Sequence, residues 1–192
     1  MNNKMKIVGL VILLASILGI SLFAYSKLSA SYDKHPQTTK NISQGRKAAS
    51  DDEYEQAFDV TIYNATGDKV SLTSLLEGKP TVINFWASWC GPCKSEMPEF
   101  QSVYESMSGE INFVMINLTD NFRETQKNAE KFISANKYTF PVYFDNDMEA
   151  SDKYAIYSIP TTLFINTDGK IVNTHSGILT KQQLVQKIDE IK

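Results

Sequence analysis

The longest apolar stretch of the chain lies near its amino end. Residues 7–26 carry no charged side chain, and most of them are Ile, Leu, Val, Ala or Gly. As a helix this segment would be about 30 Å long, which matches the hydrocarbon core of a bilayer. We therefore expect a transmembrane anchor at residues 7–26, preceded by a cytoplasmic tail at residues 1–6. A cleaved signal peptide is the alternative, because small residues that permit cleavage follow the apolar stretch.

Polar residues dominate the next part of the chain. Residues 27–56 are rich in Ser, Lys, Gln, Thr and Asn and contain few large apolar side chains. Such a composition cannot offset the entropy that is lost on folding, so it predicts a flexible linker. The apolar pattern resumes at Ala57, and we expect a single folded domain over residues 57–192.

Within this domain, short apolar segments alternate with segments of helical periodicity. Residues 58–63 and 70–72 predict a hairpin around a turn at Asn64–Asp68, and a short helix at residues 74–77 follows it. The alternation that comes next predicts βαβ units in an α/β domain with a mainly parallel sheet. Its elements are a buried strand at Thr81–Trp86, a helix at Pro92–Met107, a strand at Ile111–Leu118, a helix at Arg123–Asn136 and a strand at Val142–Asp145.

The carboxyl-terminal part of the domain predicts a second hairpin and a closing helix. Residues 161–166 and 170–174 flank Asp168-Gly169, a dipeptide that is typical of tight hairpin turns. A helix is predicted over residues 181–191, with Thr180 as its N-cap and Gln183 completing a capping box.

Net charge narrows the range of partners. The 192-residue chain has a formal net charge of -3, so it offers no strongly basic surface of the kind that a phosphate backbone needs. We therefore expect no nucleic-acid binding, and we expect the protein to be a monomer.

The two cysteines of the chain stand close together, in Cys90-Gly91-Pro92-Cys93. They follow the buried strand and begin the predicted helix, where Pro92 suits the first turn. Unpaired backbone N–H groups and the positive end of the helix dipole stabilise a thiolate at such a position, and the thiolate is the form of cysteine that attacks disulfides. We predict a redox-active Cys90–Cys93 disulfide with an accessible Cys90 sulfur and no other cofactor.

Two other roles for the cysteine pair fit the sequence less well. A zinc site needs about four ligands, whereas the chain has no second cysteine pair and its histidines are His35 and His175. A purely structural disulfide across so short a loop would restrain the unfolded chain very little. We expect no metal site.

The segment Asn84–Lys94, with the sequence NFWASWCGPCK, resembles the active-site segment of thioredoxins. Ile159-Pro160-Thr161 resembles the cis-proline loop of that superfamily, which lies beside the cysteine pair and presents its backbone to an extended substrate. In this resemblance the substrate-binding positions are Trp89, Gly91, Pro92, Ile159 and Pro160. Of these, Trp89 would form a partly exposed docking surface next to Cys90.

Within the thioredoxin superfamily, the domain resembles the membrane-anchored TlpA/ResA group. The N-terminal hairpin, the helical insertion near Arg123–Asn136 and the sequence Lys94-Ser95-Glu96-Met97-Pro98 carry this resemblance. It implies a thioredoxin-like fold with a mixed central sheet, helices on both faces, the hairpin and the insertion. It also implies a single-pass protein of the cell membrane whose catalytic domain lies on the extracytoplasmic side.

The same resemblance gives Glu96 a chemical role. In the TlpA/ResA group the matching glutamate assists proton transfer at the cysteines. Cytoplasmic thioredoxin uses a buried aspartate at the position of Asn84, and asparagine cannot titrate. Glu96, three residues after Cys93, is therefore the predicted acid–base residue. A solvated glutamate on the helix surface is the alternative interpretation.

The resemblance as a whole implies a thiol-disulfide oxidoreductase that acts on exported proteins. The Gly-Pro dipeptide matches the reducing type of active site, at about -270 mV, so a reductase is expected. Its electrons would come from a CcdA/DsbD-type transmembrane protein. Its clients would be apocytochrome c or an oxidised repair enzyme such as methionine sulfoxide reductase. A disulfide-forming oxidase of the same fold is the main alternative, and a copper-delivery protein or a noncatalytic docking module is more remote.

Overall fold

The computed structural model describes Phe23, residues 54–76 and residues 78–192. The predicted cytoplasmic tail at 1–6, the anchor or signal peptide at 7–26 and the linker at 27–56 lie outside this part of the chain, except for Phe23 and residues 54–56. No helix within the described residues has the length and apolar character needed to cross a membrane.

Seven strands of the described domain form one sheet in the order β2-β1-β5-β4-β3-β6-β7. The strands are β1 (Thr61–Tyr63), β2 (Lys69–Ser71), β3 (Thr81–Trp86), β4 (Asn112–Asn117), β5 (Val142–Phe144), β6 (Thr161–Ile165) and β7 (Ile171–Ser176). All six residues of β3 are buried, as their apolar run predicts for a strand that is covered on both faces.

The centre of the sheet is parallel and its edges are antiparallel. β3 and β4 pair in parallel, and so do β4 and β5. β1 runs antiparallel to β2 and β5, and β6 runs antiparallel to β3 and β7. The sheet is therefore mixed, as the resemblance implies. The prediction of a mainly parallel sheet, which was based on the alternation of elements, is wrong. The hairpins β1–β2 and β6–β7 supply antiparallel strands at the two edges.

The N-terminal hairpin forms as predicted, but its first strand is shorter than the apolar pattern suggests and its second strand begins one residue earlier. Ile62 lies opposite Val70 in the β1–β2 pair. The turn is held by Asn64, whose Oδ1 accepts hydrogen bonds from the backbone N–H groups of Thr66 at 3.0 Å and Asp68 at 2.8 Å. Gly67 has a φ of 84° in this turn, a conformation that glycine adopts without steric cost.

Three α-helices and one 3-10 turn connect these strands, and a fourth α-helix follows β7. They are α1 (Gly91–Met107), α2 (Gln126–Asn136), α3 (Glu149–Lys153), α4 (Lys181–Asp189) and the 3-10 turn at Thr73–Leu75. Helix α1 continues through Pro98. Helix α3 was not predicted, because five residues are too few to show helical periodicity. Its start is fixed by the buried Asp145 carboxylate, which accepts the backbone N–H groups of Ala150 and Ser151 at 3.0 and 2.8 Å.

The predicted helical insertion is present, but it begins at Gln126 rather than at Arg123. Thr125 caps it, with its side chain accepting the N–H of Asn128. The preceding residues form a turn around Asp120, whose Oδ1 accepts the N–H groups of Phe122 at 2.9 Å, Arg123 at 2.7 Å and Glu124 at 2.8 Å. A side chain that binds three successive N–H groups competes with helix formation, which explains the later start.

The sheet has a hydrophobic core on each face. Val82 and Trp86 of β3 lie in one cluster, together with buried side chains of α1, α2 and α4 such as Phe100, Ala129 and Leu184. Ile83 and Phe85 lie in the other cluster, which is completed by side chains of residues 57–62, the 3-10 turn and α3. This alternation along β3 is the period-two pattern of a strand, and helices cover both faces as expected.

Candidate active site

Cys90 and Cys93 lie where β3 gives way to α1. The strand ends at Trp86, and the chain then turns so that Cys90 is the N-cap of the helix. The two cysteines form a disulfide, with the Sγ atoms 2.08 Å and the Cα atoms 5.3 Å apart. The backbone N–H of Cys93 donates to Cys90 Sγ at 3.1 Å. The same N–H can stabilise a thiolate at Cys90 when the disulfide is reduced.

The disulfide is more enclosed than the sequence suggests. Only 3% of Cys90 is exposed, and Cys93 is fully buried. The expectation of an open Cys90 sulfur is therefore wrong for the disulfide form, because the sulfur lies between the first turn of α1 and the loop before β6. The carbonyl oxygen of Ile159 is 3.7 Å from Cys90 Sγ.

The loop beside the sulfur is the one predicted from Ile159-Pro160-Thr161. The peptide bond between Ile159 and Pro160 is cis, and Pro160 is buried while Ile159 is partly exposed. The carbonyl oxygen of Pro160 accepts the N–H of Gly177 at 2.8 Å, which ties the loop to the end of β7. The structure thus places Ile159 and Pro160 beside Cys90.

The other predicted substrate-binding residues lie around the N-terminus of α1. Gly91 and Pro92 are exposed. Trp89 is 39% exposed, as expected for a docking surface, and its ring stacks under the guanidinium of Arg123, whose Cζ lies 3.5 Å from the ring centroid. These positions leave Trp89, Gly91 and Pro92 available to a molecule that approaches the disulfide.

Glu96 is a buried acid, not a solvated one. Its exposed fraction is 1%, which excludes the alternative of a glutamate on the helix surface. Its Oε1 accepts a hydrogen bond from Asn84 Nδ2, and its Oε2 accepts one from the backbone N–H of Leu179, both at 2.9 Å. Burial raises the pKa of Glu96 to about 7, against the opposing effect of these two hydrogen bonds. A carboxyl group with this pKa can exchange a proton near neutral pH.

Asn84 holds this acid in place. It is fully buried in β3, and its Nδ2 donates to Glu96 and also to Thr162 Oγ1 at 3.0 Å. Its Oδ1 is buried without a hydrogen-bond partner. Asn84 therefore has a positioning role at the place where thioredoxin has its aspartate. The contact with Thr162 was not predicted, and nothing in the local sequence of β6 would have shown it.

A second buried acid, Glu124, lies next to the active-site loop and was also not predicted. It is fully buried, and its carboxylate accepts hydrogen bonds from the backbone N–H and from Oγ of Ser88, the latter at 3.0 Å. Ser88 precedes Cys90 by two residues. The signal available in the sequence is weak, because an acid just before a helix is usually solvated.

The described residues contain no group of three or more His, Cys, Asp or Glu side chains that could hold a metal ion. The chemistry that the geometry provides is that of two sulfurs at a helix N-terminus, a buried carboxyl group one helical turn beyond Cys93, and an exposed tryptophan beside Cys90.

Comparisons with known proteins agree with this site. The sequence matches the AhpC/TSA family over residues 54–174. It is 39% identical over 125 residues to sporulation thiol-disulfide oxidoreductase A of Bacillus subtilis, and the aligned part is 65% of this chain and 74% of that protein. It is 31% identical over 139 residues to thiol-disulfide oxidoreductase ResA of Halalkalibacterium halodurans, which covers 72% of this chain and 76% of that relative.

Solved structures give the same result. The crystal structure of StoA from Bacillus subtilis matches with a TM-score of 0.59 and 37% sequence identity, covering 68% of this chain and 96% of that one. The thioredoxin-like fold is therefore confirmed. Together with the cysteine pair at the start of α1, these matches show that the chain belongs to the AhpC/TSA family of thioredoxin-like proteins.

Proposed function

We propose that this protein, a thiol-disulfide oxidoreductase, uses Cys90 and Cys93 to reduce disulfides in exported proteins outside the cytoplasm. The observation that carries the proposal is the Cys90–Cys93 disulfide at the N-terminus of α1, with the Cys93 N–H directed at the Cys90 sulfur. A helix N-terminus that donates to a sulfur favours the thiolate over the thiol, and the thiolate is the attacking species.

The reaction transfers two electrons from the reduced cysteine pair to a client disulfide. The Cys90 thiolate attacks one client sulfur, a mixed disulfide forms, and the second client sulfur leaves as a thiolate and takes up a proton. Cys93 then loses its proton and attacks Cys90, so the Cys90–Cys93 disulfide forms and the first client sulfur leaves. The client gains two thiols, and the enzyme ends in the disulfide form.

Glu96 serves as the acid–base residue of the second step. Cys93 and Glu96 are three residues apart on α1 and both are buried, a spacing that puts their Cβ atoms about 5–6 Å apart. With a pKa of about 7, the Glu96 carboxylate can accept the proton of Cys93 and later return it. An exposed glutamate, with its usual lower pKa, would be a weaker base for a thiol.

The proposal that the enzyme reduces its clients rests on the dipeptide between the cysteines. Gly91-Pro92 is the pair found in thioredoxin-type sites, at about -270 mV, whereas strongly oxidising sites lie near about -120 mV. The reduced state must then be restored by an incoming dithiol, and a CcdA/DsbD-type transmembrane protein is the proposed source. Apocytochrome c and an oxidised methionine sulfoxide reductase are the proposed clients.

The proposed location is the outer side of the cell membrane. It is supported by the uncharged apolar segment at residues 7–26 and the polar linker at residues 27–56. The segment would hold the domain at the membrane, and the linker would give it reach toward membrane-bound donors and clients.

The proposal is tested by trapping the client. The full chain with Cys93→Ala cannot resolve a mixed disulfide, so we expect client proteins to remain covalently attached to Cys90. The measurement is recovery from whole cells of complexes that are released by dithiothreitol. The control is Cys90→Ala, which removes the attacking sulfur and should capture none of these clients. Equal recovery from both variants, or no complex with Cys93→Ala, would refute the mechanism.

A further inference from the structure

The segment before α2 contacts the active-site loop, residues 87–90 between β3 and α1. Arg123 stacks on Trp89, and Glu124 binds Ser88. Ser88 and Trp89 are the two residues that precede Cys90. The segment that leads into the helical insertion therefore touches the backbone and the ring that present the attacking sulfur.

The contact of Glu124 is the stronger of the two. The Glu124 side chain is fully buried, and its donors are the N–H and Oγ of Ser88 and, at 3.1 Å, the N–H of Thr125. The salt bridges of the described residues do not involve Glu124. A buried carboxylate without a cation is costly unless its oxygens accept hydrogen bonds. Most of that compensation comes from Ser88, so the carboxylate and the loop constrain each other.

The contact of Arg123 acts on a side chain instead of the backbone. The Cζ atom of the Arg123 guanidinium lies over the Trp89 ring at 3.5 Å from its centroid and covers one face of the ring, while 39% of the residue stays exposed. Such stacking fixes the orientation of the indole and leaves its remaining surface for a client.

The segment itself is rigid enough to serve as a support. Asp120 Oδ1 accepts three backbone N–H groups, including those of Arg123 at 2.7 Å and Glu124 at 2.8 Å. The backbone oxygen of Glu124 accepts the N–H of Asn121 at 2.9 Å. Thr125 then caps α2. Arg123 and Glu124 are therefore held by their own turn before they contact the active-site loop.

We infer that Arg123 and Glu124 are positioning residues for disulfide exchange, and that they divide the task. Glu124 fixes the backbone at Ser88 and thereby the position of Cys90, so it affects the rate of the chemical steps. Arg123 fixes the ring of Trp89, so it affects the binding of the client. The inference rests on the proposed thiol-disulfide exchange at Cys90 and Cys93.

The test separates the two effects by steady-state kinetics of the detergent-solubilised full chain. The probe is insulin, whose disulfides are reduced with dithiothreitol as the electron source. We expect Glu124→Gln to lower kcat about tenfold with KM within twofold, because one hydrogen bond to a charged group is lost near the sulfur. We expect Arg123→Lys, which keeps the charge but loses the planar stacking, to raise KM about threefold with kcat unchanged.

The control is Glu130→Gln, which removes the same charge from an exposed position on α2, and which should leave both constants unchanged. Rates are expressed per folded chain, with the folded fraction of each variant measured by circular dichroism, so a loss of folded protein does not imitate the effect. If Glu124→Gln does not fold, Ser88→Ala takes its place. It removes the Oγ contact while keeping the Ser88 N–H, and it should lower kcat about twofold to threefold.

The outcomes distinguish this inference from the proposed function. A normal chain that reduces no insulin would refute the proposed function. If the wild-type protein is active and the variants have the same kcat and KM per folded chain, the positioning roles are refuted and the proposed function is not. A change in KM for Glu124→Gln with kcat unchanged would refute the division between the two residues.

Discussion

Glu96 joins three elements through one carboxylate. It lies on α1, and its two oxygens accept hydrogen bonds from Asn84 on β3 and from the N–H of Leu179, just before α4. Burial raises its pKa to about 7. The residue is thus held in a fixed position by the fold, and its burial among protein atoms raises its proton affinity.

This arrangement predicts a pH-dependent cost in stability, which Glu96→Gln should remove. The pKa of Glu96 is raised from 4.5 to about 7 on folding, so its stabilising contribution is complete below pH 4.5 and is lost as the pH rises through 7. Above that range the folded state carries a buried anion at a cost of about 3 kcal/mol. We expect the free energy of unfolding of Glu96→Gln, relative to the normal chain, to increase by about this amount between pH 4 and pH 8.

The measurement is urea unfolding of the disulfide form of both proteins at the two pH values. Glu99→Gln is the matched control, because it removes a glutamate from the same helix at a partly exposed position, and its difference from the normal chain should change much less with pH. A Glu96→Gln protein whose relative stability is the same at both pH values would show that Glu96 titrates as a solvated acid.

The residues of the site differ in how far sequence could predict them. Cys90, Cys93 and Trp89 stand in one continuous motif, and Pro160 stands in a second, so the resemblance was sufficient to select them as candidates. The environment of Glu96 depends on a hydrogen bond across 83 positions of the chain, to Leu179. The contact between Ser88 and Glu124 spans 36 positions. Neither distance leaves a periodic trace in the sequence, so burial of both acids became visible only with the fold.

At the scale of elements, local patterns predicted what lies within a segment but not how segments pair. The apolar run Thr81–Trp86 is β3 to the residue, and helix α1 differs from its predicted range by one residue at its start. The direction of strand pairing cannot be predicted from a local pattern. The βαβ units of this domain give parallel strands, the hairpins give antiparallel strands, and both kinds lie in one sheet. The short helix α3 depends on a side-chain contact with Asp145, which no periodicity reveals.

The start of α4 offers a prediction at this scale. Thr180 and Gln183 form a complete capping box, and the residue before it, Leu179, donates its N–H to Glu96. We expect Thr180→Ala to lower the free energy of unfolding by about 1 kcal/mol, because it leaves an N–H at the helix start without its acceptor. The measurement is urea unfolding at pH 7.

The control for this change is Ser134→Ala, which removes an exposed hydroxyl from α2 where it bonds only a helix carbonyl. It should change the free energy of unfolding by less than about 0.5 kcal/mol. Equal losses from Thr180→Ala and Ser134→Ala would mean that the capping box contributes nothing beyond an ordinary surface hydroxyl.

For the whole molecule, the chemistry of the site and the pattern of the chain point to the same compartment. A cysteine pair that acts as the proposed reductase needs a supply of electrons, and an apolar segment at residues 7–26 followed by a polar linker would place that pair outside the membrane. Apart from Phe23 and residues 54–56, the predicted anchor and linker lie outside the described residues, so the location at the membrane stays a prediction.

The side of the membrane on which the domain lies can be tested by labelling its cysteines in intact cells. The chain has two cysteines, both in the active site, so every thiol signal reports on that site. In intact cells we expect a membrane-impermeant maleimide to label the cysteine pair as fully as a permeant maleimide does, because the domain is extracytoplasmic. We expect a substantial dithiol fraction before any reductant is added, because the proposed enzyme is kept reduced by a transmembrane donor.

The control is a cytoplasmic protein with an exposed cysteine, which only the permeant reagent should label. Deleting the candidate CcdA/DsbD-type donor should convert the pair almost entirely to the disulfide, so that labelling appears only after dithiothreitol is added. Labelling by the permeant reagent alone would overturn the extracytoplasmic location. A pair that is disulfide-bonded in cells with the donor, and unaffected by its loss, would instead support a disulfide-forming oxidase, since such an enzyme must rest in the form that accepts electrons.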